Sequence, residues 1–201
     1  SQSETFYIDL TNPKIENLIP SDNSVIYNNP RPRISVDINK VYWGVAEFAH
    51  LVDVINQVDS VDDIDAEDKL GQQMINLSLV RDWGIVDIFV MPGFRERTFA
   101  GKNGRLRSSL VVNTDKAEYE SGAGQQHVDY ALRWSSSIGD FDIGAYWFKG
   151  TNREPLYKVI PKGADPRDYS PLQPNSSLEI PITALDSLEL TPYYELMDQF
   201  S

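Results

Sequence analysis

The chain has 201 residues, 41% hydrophobic and 24% charged, proportions of a folded chain of one or two domains rather than of a disordered one. Its 30 acidic and 18 basic residues give a formal charge of -12, which argues against nucleic acid or an anionic membrane surface as a partner. It has no cysteine, so disulfides, thiolate metal sites and cysteine nucleophiles are excluded.

No run of about 18 apolar residues occurs, so no ordinary transmembrane helix is predicted. The opening SQSETFYIDL has neither the basic start nor the apolar stretch of a secretion signal. Residues 1–30 are polar and proline-punctuated and read as a loop or N-terminal segment, with a β portion over 31–201. The first predicted strand lies near 33–42, with Arg33, Ser35 and Asp37 on one face and Ile34, Val36 and Ile38 on the other. A short helical insert follows, in which Ala46, Ala49, Leu51, Val52 and Ile55 suit one or two turns before an acidic run.

The stretch MINLSLVRDWGIVDIFVMPGF predicts a hairpin of strands near 73–81 and 85–95. Ile75, Leu77, Leu79, Val86, Ile88 and Val90 fall on one side of it, and Asn76, Ser78 and Asp87 on the other. Phe89 and Met91 break the pattern by sitting on the polar side. Residues 98–126 read as a long connection, with RLRSSLVVN as a possible strand extension. A second hairpin is predicted near 127–136 and 141–149, where Val128, Tyr130, Leu132 and Trp134 oppose Asp129, Ala131 and Arg133. Residues 151–186 hold most of the prolines and read as a second long connection. A sixth strand is predicted near 188–197.

Alternation alone does not say which side of a strand meets water, because a soluble sheet and a membrane barrel share the pattern. The connections separate the two: they run short at 82–84, long at 98–126, short at 137–140 and long at 151–186, as in an antiparallel barrel with short turns at one rim. Candidate strands of roughly 9 to 11 residues match a tilted bilayer-crossing strand rather than the usual soluble length. Tyr42, Trp43, Trp83, Phe94, Trp134, Phe141, Trp147, Tyr193 and Tyr194 sit near predicted strand ends, where interfacial girdles belong.

Together these predict an all-β, antiparallel up-and-down meander of long strands, part of a transmembrane β-barrel. Six strands are fewer than the roughly eight that the smallest membrane barrels use, so the expectation is a fragment of a longer barrel. On this reading Ile75, Leu77, Leu79, Val86, Ile88 and Val90 face lipid, and Trp83 marks the short-turn rim.

The segments KVYWGVAEFAHLVDVINQVD and DKLGQQMINLSLVRDWGIVDIFVMPGFRERTF carry a resemblance. With DYALRWSSSIGDFDIGAYWFKGTNREP and LTPYYELMDQ, they resemble Gram-negative outer-membrane β-barrel proteins of porin type, mostly annotated without a function. The likeness runs through Trp43, Gly44, Glu47, Asp53 and Asn56, and departs at Gln57, where proline is more usual. It implies an outer-membrane location, contact with membrane lipid and lipopolysaccharide, and passive passage or binding of small solutes, with no cofactor.

The pore-lining or constriction candidates are Arg33, Asp37, Glu47, His50, Asp53, Asp87, Arg95, Arg97, Asp129, Arg133 and Asp142. Glu47, His50 and Asp53 belong to the polar insert, which folds into the lumen or extends beyond the membrane because it cannot sit in lipid. Arg95 and Arg97 continue the lumenal phase of the third strand and open a basic cluster with Lys102, Arg105 and Arg107. Three readings stand beside an ordinary basic surface: attraction of anionic solutes, pairing with the acidic insert, and contact with lipopolysaccharide phosphates.

Catalysis and metal binding find little support. His50 and His127 are the only histidines and show no metal-ligand spacing, and no nucleophile elbow is present. The acidic run fails the calcium-loop template, whose sixth position needs glycine; counted from Asp63 that position is Asp68. The alternatives to a porin-like barrel are a soluble antiparallel β binding module, periplasmic or secreted, and, more weakly, an outer-membrane barrel enzyme.

Overall fold

The computed structural model describes residues 8–9, 33–41, 54–61, 69–101, 103–104, 109–174, 176–177 and 179–200. Their strands are β1 (Ile8–Asp9), β2 (Arg33–Asn39), β3 (Gln72–Arg81), β4 (Gly84–Pro92), β5 (Glu118–Tyr119), β6 (Val128–Ile138), β7 (Phe141–Thr151), β8 (Leu156–Pro161), β9 (Leu188–Tyr194) and β10 (Leu196–Phe200). A seven-stranded sheet runs in the order β1-β2-β3-β4-β6-β7-β10, and every pair in it is antiparallel. Among the described residues the sheet is open, and the only helices are short 3-10 turns.

Two tight hairpins set the register. Arg81 pairs with Gly84 across Asp82 and Trp83, and Ile138 pairs with Phe141 across Gly139 and Asp140. Gly139 has φ of +63°, the left-handed backbone that tight hairpin turns require and glycine adopts at no steric cost. Gly84, with φ of +133°, must also stay small, since a Cβ there would lie 2.5 Å from Ser135 O. Both turns leave from one end of the sheet, and the connections following β2, β4 and β7 leave from the other. The connection over 10–32, which joins β1 to β2 from the short-turn end, departs from that rhythm. The strands β3, β4, β6 and β7 have 10, 9, 11 and 11 residues.

The two long connections supply β5 and β8 to a second sheet at the far end, ordered β5-β9-β8. Here β5 runs parallel to β9, and β8 antiparallel to it. The predicted sixth strand therefore divides. Leu188–Tyr194 joins the small sheet, and Leu196–Phe200 pairs with β7. The switch falls at Glu195, whose carbonyl accepts from Asn152 N at 2.8 Å, while Leu196 N donates to Glu120 Oε2 at 2.7 Å. Residues 151–186, expected to be a loop, contain β8. Of the expected extension over 105–113, the described part makes one isolated bridge, Val112 with Leu190.

Part-buried ion pairs tie the small sheet together. Lys158, buried, bonds Glu118, and Lys116 Nζ bonds Glu189 Oε1 at 2.8 Å. Burial pushes the Glu189 carboxyl up, but the Lys116 and Asn113 hydrogen bonds outweigh it and hold the pKa below the ordinary glutamate value. A depressed folded-state pKa contributes stability that is present above the unfolded value and lost as pH falls through the folded one. Stability should therefore drop on acidification below about pH 4.3, the ordinary glutamate value. The urea midpoint followed from pH 6 to pH 3 checks this, and Glu189→Gln should flatten the acid limb.

The two faces of the large sheet differ in what covers them. On one face Ile34, Leu77, Ile88, Leu132, Trp147 and Phe200 align in a single row across β2, β3, β4, β6, β7 and β10. The next row toward the short turns is Leu79, Val86, Trp134 and Ala145. This apolar face is the open one: Ile38, Ile75, Ile88, Leu132, Ile143 and Phe200 are all exposed. The opposite face carries Asp87, Phe89, Met91, Asp129, Ala131 and Phe148, each at most 5% exposed.

The aromatic girdle expected from the sequence divides between these settings. Trp83 and Phe141 project at the short turns, 57% and 74% exposed. Phe94 and Tyr194 are instead buried, packed edge-on with ring centroids 4.9 Å apart, and Tyr194 stacks on Tyr119. They knit the small sheet to the end of β4 and are not girdle residues. Tyr42 and Trp43 lie outside the described residues.

Candidate functional site: the charged, covered face

The covered face places the charged candidates in cross-strand rows. Arg33, Ser78, Asp87, Arg133 and Tyr146 are successive neighbours across five strands. In this row Arg133 grips Asp87 through Nε at 3.0 Å and a terminal nitrogen at 2.6 Å, both on Oδ2. Directly opposed, oppositely charged pairs stabilise an antiparallel ladder. Arg133 keeps 26% of its side chain accessible against 7% for Asp87, so the guanidinium is the member of the pair that meets solvent.

Toward the long-connection end the covered face is packed. Met74, Phe89, Met91, Ala131, Tyr146 and Phe148 pack around Ile55, with Val54, Val41 and Met197 at the margin. Phe89 and Met91, the two residues that broke the hairpin's alternation, are there because this part of the inner face is a packed core. Ile55 comes from the insert. Val54 and Ile55 are not helical; the rest of the helix expected over 46–55 lies outside the described residues.

Asn56 fixes the insert at its base. Its Nδ2 donates to Asn39 O at 2.8 Å and to Leu70 O at 2.9 Å, and its Oδ1 accepts from Val41 N at 2.7 Å. One buried amide thus joins the exit of β2 to the approach of β3. Leu70 N adds a bond to Gln57 O at 2.6 Å.

A second charge pair locks this region to the sheet. Asp129, fully buried, accepts from Arg153 at 2.7 Å through Oδ2 and from Thr151 N at 3.0 Å through Oδ1, with His127 Nδ1 at 2.8 Å from the same oxygen. Arg153 also donates to Ile55 O at 2.8 Å and Thr151 O at 2.7 Å. Its guanidinium carbon stands 5.1 Å from the Phe94 ring centroid and 5.2 Å from that of Phe148, in cation–π range. Burial pulls the guanidinium pKa down, and the Asp129 charge and hydrogen bond oppose that pull.

Gly150 makes room for the carboxylate: a Cβ there would fall 2.3 Å from Asp129 Cγ. Gly150→Ala should therefore expel Asp129 and destabilise the protein by about 3 kcal/mol, the order of breaking a buried pair. The urea midpoint of the variant measures the loss.

The other predicted site residues fall as follows. Arg33 and Asp37 lie half-buried on the inner-face register, opposite Ser78 and Met74. Glu47, His50 and Asp53 lie outside the described residues. Asp142, at the short-turn end, accepts from Ser137 Oγ at 2.6 Å. Arg95 and Arg97 do not continue the strand phase of β4, because β4 ends at Pro92 and Gly93, with φ of +86°, turns the chain away. Arg97 Nε donates to Ser60 Oγ at 3.1 Å, and Arg95 reaches Gly71 O at 2.9 Å. Asp129 lies inside a buried network and does not line open space. Arg153 was not among the candidates; its partner is 24 positions away across a hairpin, a separation without a sequence signal. Among the described residues no group of three or more histidine, aspartate or glutamate side chains could hold a metal ion, and no helix is long and apolar enough to cross a membrane.

Compared with protein-family models, curated proteins and solved structures, the chain matches none of them.

Proposed function

We propose that this chain forms part of the wall of an outer-membrane β-barrel of a Gram-negative bacterium, one that passes or binds small solutes without a cofactor. The observation that carries the reading is the inverted distribution of the two faces. A soluble sheet covers its apolar side and turns its charges to water. Here the apolar row from Ile34 to Phe200 is open, and the charged pairs face what the chain itself covers. Monomeric soluble proteins rarely expose apolar patches of more than a few hundred Å², whereas lipid covers such a face at no cost.

Strand length supports the same reading, since 9 to 11 residues is the span that a tilted strand needs to cross the hydrocarbon layer. Trp83 and Phe141 stand at the short-turn rim, where interfacial aromatics belong. A spanning sheet has no free edge, so the reading requires strands beyond the seven to complete the wall. Arg133, with Asp87 behind it, is the charged group offered to passing solutes. The core around Ile55 narrows the interior toward the long connections.

Heat-modifiable gel migration and fractionation with the outer membrane test the barrel. Swelling of liposomes carrying the protein, in a series of neutral and charged solutes, tests passage. Recovery of the folded chain from the aqueous phase without detergent would sink the reading and leave the soluble binding module. Insertion without swelling would leave solute binding, measured by titration.

A further inference from the structure

At the long-connection rim the exposed face ends in a groove of about 300 Å³, lined by Ile38, Gly71, Gln73, Pro92, Gly93 and Arg95 among others. Ile38 and Gln73 are register partners on the open face, and Pro92 lies exposed on the same face. The floor is narrow because a Cβ on Gly71 would meet Ile38 Cγ2 at 2.9 Å. Above it the chain is pinned: Gly93 N donates to His127 O at 3.1 Å, Phe94 N to Gln125 O at 2.7 Å, and Gln72 Nε2 to Gly93 O at 2.7 Å.

That pinning hangs Arg95 over the groove. Its guanidinium donates to Gly71 O at 2.9 Å, which engages one of five N–H groups at the edge of the groove that Arg95 lines. Directly below runs the row Val36, Ile75, Val90 and Tyr130. A planar cation at the upper edge of an apolar wall matches a ligand with an anionic head and hydrocarbon tails. The groove's volume is at the lower end for small-molecule pockets, so a head group enters it and the tails lie outside on the sheet.

The geometry points to a binding site for one phosphorylated glycolipid of the outer leaflet, its phosphate on Arg95 and its acyl chains along Val36, Ile75 and Val90. The inference rests on the barrel reading, in which long connections face the cell exterior. It selects the lipid-phosphate role for Arg95 from the roles open to the basic cluster.

The test uses the full-length protein folded in zwitterionic micelles, with lipid A as the probe and native mass spectrometry as the readout. Wild type should retain one lipid A. Arg95→Gln should weaken retention roughly 10- to 100-fold, the equivalent of one charge-assisted hydrogen bond or two, and Arg95→Lys should weaken it less. Arg81→Gln removes an exposed cation on the same face at the opposite, short-turn end of the sheet, and should change retention less than about twofold, within the small effect of exposed charges. Equal losses in the two glutamine variants, or no loss in Arg95→Gln, would overturn the site. Displacement of lipid A by equimolar inorganic phosphate would also overturn it, in favour of a free-anion site. Heat-modifiable migration of each variant is read in parallel, so failure of the barrel is seen separately from failure of the site.

Discussion

Arg153→Met should lower the unfolding free energy by about 3–5 kcal/mol, and Asp129→Asn combined with Arg153→Met should restore more than half of that loss. Arg153 is 5% exposed and Asp129 0%, so removing the guanidinium strands a carboxylate where water does not reach. The single change also frees Ile55 O and Thr151 O from their donor and opens the space between the Phe94 and Phe148 rings. Methionine refills much of that volume, which isolates the charge effect from a packing defect. In the double variant the asparagine still accepts from Thr151 N, and no buried charge remains. Urea unfolding of the wild type, both single variants and the double variant, followed by tryptophan fluorescence with unchanged slope, gives the four free energies of the cycle. Strict additivity of the two single changes would mean that the pair is not coupled, and the anchor role of Arg153 would fall.

The same pair shows where sequence reading stops. Both tight hairpins and the face assignment of β3, β4, β6 and β7 were legible, because alternation and turn residues are local and a slip of one position would invert every side chain. Phe89 and Met91 looked like noise in that alternation. Their reason is Ile55, 34 positions before Phe89 and 36 before Met91, which no window over the hairpin contains. The division of residues 188–197 was hidden for a related cause. Leu188 to Met197 is one continuous β-prone stretch, and what divides it is non-local: Glu195 meets Asn152, and Leu196 meets Glu120. Strand β8 was masked by Pro155 and Pro161, which read as loop punctuation yet sit at or beside its ends, where proline removes no needed ladder bond. Phase put the charges together on one face of the sheet, but phase does not tell a wetted residue such as Arg133 from an enclosed one such as Asp129.

Leu132→Arg should cost about 2–4 kcal/mol of folding free energy in lipid vesicles, the penalty for a cation on the lipid face of a barrel near the bilayer midplane. Leu132 lies mid-strand in the apolar row between Ile88 and Trp147, so in a bilayer an arginine head group there would have no short route to water. Phe141→Arg, on the short-turn rim and 74% exposed, should cost no more than about 1 kcal/mol, since the penalty falls toward the interface. In water the ranking disappears. Leu132 is 39% exposed, and a surface change there would shift stability by roughly 0.5 kcal/mol or less. Folding into vesicles, followed by urea titration and the heat-modifiable band, measures both variants on one scale. A large difference between them is the signature of depth in a bilayer. Equal, small costs would mean that the face from Ile34 to Phe200 meets solvent or a protein partner, and the barrel reading would fall with its lipid site.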